Sequence, residues 1–115
     1  MTIENFSIGK LIAVDANTEK DIEIWKVPNG QSFLLSRVFI VFYDDPTYDL
    51  EVYLKRGTEQ IAPHIGSYKG NNKWIRDFKN EVFPANSSII AHVKNANATE
   101  SRTFYILLIG ILKYS

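Results

Sequence analysis

In "YDLEVYLKRG", Leu50, Val52 and Leu54 fall on one side of an extended chain while Asp49, Glu51, Tyr53 and Lys55 fall on the other. That period of two predicts a strand with one dry and one wet face. It recurs along the chain, whereas the 3.6-residue period of a helix is nearly absent. "DIEIWKV" sets Ile22 and Ile24 against Glu23, Trp25 and Val27, and Pro28-Asn29-Gly30 follows as a turn. "SSIIAHVKN" sets Ile89, Ala91 and Val93 against Ile90 and His92, and "ANATES" reads as a polar turn after it.

Two segments are apolar on both sides. "QSFLLSRVFIVFY" places Leu34, Val38, Ile40 and Phe42 on one face and Phe33, Leu35, Phe39 and Val41 on the other; "RTFYILLIGILKY" closes the chain with the same character. Both read as central strands. "NFSIGKLIAVD" supplies one or two more. "KWIRDFKNEVF" reads as a strand in preference to a short helix, and the stretch from Thr58 to Asn72, where no period survives, reads as the longest connection. Seven to eight strands and no helix in 115 residues predict an all-β, single-domain antiparallel β-sandwich over residues 1–115, jelly-roll-like. Alternation is equally compatible with an immunoglobulin-like strand order.

Composition narrows the chemistry. The chain has no cysteine, which excludes disulfides, thiolate metal sites and cysteine nucleophiles, and folding in a reducing cytosol is favoured. Its 13 basic and 13 acidic side chains cancel, so no global field draws it to nucleic acid or to an anionic membrane. The most apolar run, "FYILLIGIL", is about half as long as a membrane-spanning helix requires. The first residues mix acids with apolar side chains and do not read as a secretory signal.

Candidate catalytic groups are sparse. His64 and His92 are the two histidines, and neither sits in a nucleophile, metalloprotease or phosphate-loop motif, so no enzyme and no cofactor is expected. Asp44, Asp45, Asp49 and Glu51 gather within eight residues; they form a weak calcium candidate that is outweighed by an ordinary Asp-Asp-Pro-Thr turn. Asn5, Asn86 and Asn97 begin N-x-Ser/Thr sequons and read as turn residues. "YKGNNKWIRDFK" combines aromatic rings with an excess of cations, which makes Tyr68, Lys69, Lys73, Trp74 and Arg76 the ligand-binding candidates, for a glycan first. The competing and heavier reading turns Trp74 and Phe78 into the sandwich. Trp25, Tyr43, Tyr48, Tyr53 and Tyr114, at outer or terminal positions, are the interface candidates.

"VPNGQSFLLSRVFIVFY", "FPANSSIIAHVKNANA" and "RTFYILLIGIL" together resemble small β-sandwich modules of phage and virus structural proteins. The shared features are a Pro-Asn/Gly corner, an Asn-rich turn and a terminal apolar strand containing glycine, here Pro84, Asn86, Asn95, Asn97 and Gly110. The same features suit carbohydrate-binding sandwiches and discoidin-like domains. The resemblance implies a virion component (capsid, decoration, fibre or tail) assembled in the host cytoplasm. It would act through homo-oligomer contacts and contacts with other virion proteins, with no catalytic pocket.

Overall fold

Nested hairpin pairs define the topology. β1 (Thr2–Val14) pairs antiparallel with β9 (Arg102–Tyr114), and β2 (Thr18–Lys26) pairs with β8 (Ser88–Asn95). β3 (Gln31–Tyr43) pairs with β6 (Lys73–Ile75) and β7 (Glu81–Phe83), and β4 (Leu50–Arg56) pairs with β5 (Glu59–Ala62). Folding this nested hairpin over on itself adds the β3·β9 and β4·β8 ladders. One sheet then runs β1-β9-β3-β6, with β7 also on β3, and the other runs β2-β8-β4-β5. β6 and β7 occupy successive stretches of the same β3 edge, so the nine strands of the described residues fill eight lateral positions. This is the strand order of a jelly roll. The computed structural model describes residues 2–43, 45–70, 73–75 and 81–114, the backbone alone for 73–75.

The core lies between the two sheets. Phe33, Leu35, Val38, Ile40 and Phe42 of β3 meet Phe104, Ile106 and Leu108 of β9 there, opposite Leu50, Val52 and Leu54 of β4 and Ile89, Ala91 and Val93 of β8. Each such side chain contributes on the order of 2 kcal/mol by leaving water. β3 and β9 are the central strands of their sheet, as their two-sided apolar character requires.

The alternation along β3 differs from the sequence expectation in its first half. A bulge between Leu35 and Arg37 inserts an extra residue, held by the Ser36 hydroxyl donating to the Ile109 carbonyl at 3.1 Å. Phe33 and Leu35 therefore share the inner face with Val38, Ile40 and Phe42, while Leu34 lies outside. β2 carries a second bulge between Glu23 and Trp25. It lets Ile24 bury while Trp25 also turns inward, its ring 4.9 Å from Phe6 and 5.3 Å from Phe33.

The stretch from Thr58 to Asn72 is more regular than its sequence suggests. Glu59–Ala62 forms β5, and Tyr68 exchanges two backbone hydrogen bonds with Val52, at 2.8 and 2.9 Å, prolonging the same edge of β4. Arg56 fastens the two sheets at this side: its guanidinium donates to Glu59, Glu81 and the Val82 carbonyl and lies over the Phe83 ring.

Candidate functional site: the outer face of the five-stranded sheet

The outward side chains of the two sheets have opposite characters. On the four-stranded sheet, β2 offers Glu19, Asp21 and Glu23, β8 offers Ile90, His92 and Lys94, and β4 offers Glu51, Tyr53 and Lys55. Five of these groups, Glu19, Asp21, His92, Lys55 and Tyr53, contact one another. His92 Nδ1 stands 2.7 Å from an Asp21 oxygen and Nε2 stands 2.8 Å from a Glu19 oxygen, while Lys55 donates to Asp21 at 2.9 Å and Tyr53 stacks on the imidazole. Only an imidazolium donates from both nitrogens. Burial pulls the His92 pKa down, but its hydrogen bonds to Glu19 and Asp21 outweigh that and leave it raised. Lys55 first and His92 second hold Asp21 below its usual range, and His92 does the same for Glu19. This face is finished against water.

The five-stranded sheet is different. Tyr105, Leu107, Ile109 and Ile111 of β9 point away from the core, flanked by Leu34 and Val41 of β3 and by Leu11 and Ala13 of β1. Leu11 is 65% exposed, Ile3 58%, Val82 52% and Tyr43 46%. Antiparallel sheets that meet water carry polar side chains on that side, whereas here both sides of β3 and β9 are apolar. Polarity on this face concentrates in one band at the β3 bulge, where Asn5, Ser7, Ser36 and Arg37 line an open depression of about 480 Å³ beside Ile109 and Ile111. Tyr105 lies across Gly9, its hydroxyl 2.0 Å from where a Cβ would stand.

The sequence-derived candidates are scattered. Tyr68 is half-buried against the core, and burial raises its pKa; Lys69 is exposed nearby. Lys73 and Trp74 lie in β6, whose backbone places Trp74 opposite Phe39 on the five-stranded sheet. Arg76 and Phe78 lie outside the described residues, as does Asp44. The remaining loop carboxylates serve the fold. Buried Asp45 accepts the backbone N–H groups of Asp49 and Leu50 at 2.8 and 2.9 Å, and Arg102 packs against Asp45, Asp49 and Glu100. Glu51 points outward from β4, and among the described residues no three acidic or histidine side chains converge as a metal site. Asn95, also buried, donates to the carbonyls of Val14, Asp15 and Glu100 and closes this end of the sandwich.

The interface candidates divide. Tyr43 and Tyr48 are exposed, and Tyr53 belongs to the His92 network. Trp25 and Tyr114 pack against the core, the Tyr114 hydroxyl donating to Glu4. None of the five is on the apolar face except Tyr43, at its end. The residues that form this face were visible as the outward halves of the two doubly apolar strands.

No protein-family model matches this sequence, and no curated protein sequence does. Solved structures do match. A chain in the acidic stable capsid structure of Helicobacter pylori bacteriophage KHP30 is 13% identical over 95% of this chain and 93% of its own, with a TM-score of 0.58. The fold is shared. FLHE is 9% identical over 96% of this chain and 98% of its own, with a TM-score of 0.54. A chain of the cyanophage Pam1 capsid asymmetric unit is 10% identical over 95% and 84%, with a TM-score of 0.47. At these identities the likeness is one of architecture. No helix among the described residues is long and apolar enough to cross a membrane.

Proposed function

We propose that this chain is a non-enzymatic structural module of a virion, acting through contacts with copies of itself and with other virion proteins. The observation that carries the reading is the open apolar face of the five-stranded sheet. A surface of that size and character gains from being covered by protein. The jelly roll shared with a bacteriophage capsid chain supports placing that contact in a particle. The carboxylates around His92 occupy both of its nitrogens.

The test combines native mass by light scattering over a hundredfold concentration range with peptide mass spectrometry of particles purified from the organism that encodes the chain. A fixed oligomer, with its peptides abundant in the particles, is the expected result. A strict monomer absent from the particles overturns the proposal.

A further inference from the structure

Resting on the assembly reading, we infer that the outer face of the five-stranded sheet is a self-complementary contact for a second copy of this chain. The two copies are related by a two-fold axis along β9, with Arg37 of each meeting the Asn5–Ser7 row of the other.

Size is the first argument. β1, β9 and β3, the strands that overlap when the sheet is turned about β9, each span 13 residues, about 44 Å at the strand rise, and together cover a width of about 14 Å. The resulting footprint of about 600 Å² reaches the lower end of the share that each partner contributes to a stable protein interface. Shape is the second. A twisted sheet face is complemented by another sheet lying about 10 Å away, the arrangement this molecule already uses internally.

The register supplies the third argument. Ser7 on β1 and Arg37 on β3 both stand beside Ile109, on opposite sides of β9. Rotation about β9 exchanges the β1 and β3 sides and preserves height along the strands. It therefore carries Arg37 onto the Asn5–Ser7 side of the depression and keeps the two guanidiniums about two strand spacings apart. Arg37 is exposed and forms no ion pair among the described residues. Along the axis Leu107 and Ile109 meet their own copies, an apolar seam suited to an isologous contact. Lys113, on the same face, sits near the end of β9, where its long stem can carry the charge to solvent. The chain's zero net charge removes long-range repulsion between copies.

Ser7 is exposed on β1, so charges of either sign can be placed there without disturbing the core. The experiment is sedimentation equilibrium of the whole chain as wild type, Ser7→Asp and Ser7→Lys, with far-ultraviolet circular dichroism confirming an unchanged fold. An even-numbered oligomer is expected. Its dissociation constant should fall about tenfold in Ser7→Asp, which faces the partner's Arg37, and rise at least tenfold in Ser7→Lys. Arg37→Ala in the Ser7→Asp background should cancel the gain. An oligomer indifferent to the sign of the charge at Ser7, or odd in number, overturns this contact and leaves the assembly reading standing. A strict monomer overturns the contact as well, and the peptide content of the particles then decides the assembly reading separately.

Discussion

Two glycines on neighbouring strands show how one residue type can carry different constraints. A Cβ at Gly110 would stand 2.1 Å from the Leu34 carbonyl oxygen and 2.7 Å from the Phe33 ring, both fixed parts of the sheet and core. At Gly9 the obstacle is the tip of Tyr105, a side chain on the outer face that can swing aside. Gly110→Ala should therefore cost about 3 kcal/mol or more. Gly9→Ala should stay within about 1 kcal/mol, since a strand glycine also carries an entropic penalty that alanine relieves; urea unfolding midpoints compare the two. His92 adds a pH signature. Its raised pKa means that its stabilisation is complete below its ordinary value of 6.5 and is lost as pH climbs through the higher folded value. Asp21 and Glu19, held below 3.8 and 4.5, contribute above those values and fail as pH falls through their lowered ones. The thermal midpoint of His92→Gln should thus lie furthest below wild type near about pH 5.5 and converge on it in alkali. A gap that is constant with pH would assign His92 a packing role alone.

Among the elements, β3 carries one inserted residue. Removing Ser36 would join Leu35 directly to Arg37, whose partners Gly110 and Ile109 are already consecutive, so the ladder would close without a bulge and Phe33 and Leu35, both fully buried, would keep the inner face. The deletion should therefore keep a cooperative thermal transition, and Ser36→Gly, which removes one hydroxyl bond to Ile109, should cost about 1 kcal/mol. These bulges also mark where sequence reading stops. The inward set of β4 and the alternation of β8 follow from period two without interruption. In β3 and β2 a strict period assigns Leu34 inward and Trp25 outward, because nothing in "LLSRV" or "IEIWK" announces an extra residue. β5 escaped for another reason: four residues flanked by turns are too few for a period to register, and its existence depends on pairing with β4. The apolar face was legible in the two-sided character of β3 and β9. What hid its extent was β1, whose outward Leu11 and Ile3 are separated by Asn5, Ser7 and Gly9.

At the scale of the molecule, the decisive contrast is between a sheet whose outer charged groups pair with one another and a sheet whose outer side chains are largely apolar. If the second sheet is covered by another copy, dimer formation must be linked to folding, and stability must depend on concentration. Each tenfold rise in concentration then adds about 1.4 kcal/mol per dimer. The unfolding entropy of two chains of this length is about 0.5 kcal/mol per kelvin, so the thermal midpoint should climb by about 3 °C per decade. A monomeric fold gives a midpoint independent of concentration. Calorimetric scans of wild type across two decades should therefore rise by about 6 °C, and Ser7→Lys should flatten the slope while starting from the same value at the dilute end. That shared dilute value is the informative part. It would show that the jelly roll is complete without its partner, its core closed between the sheets by Phe33, Phe83 and Phe104, and that the apolar outer face is an addition to the fold's stability. A wild-type midpoint that is flat across both decades would remove the copy-to-copy contact and return the face to a partner of another kind.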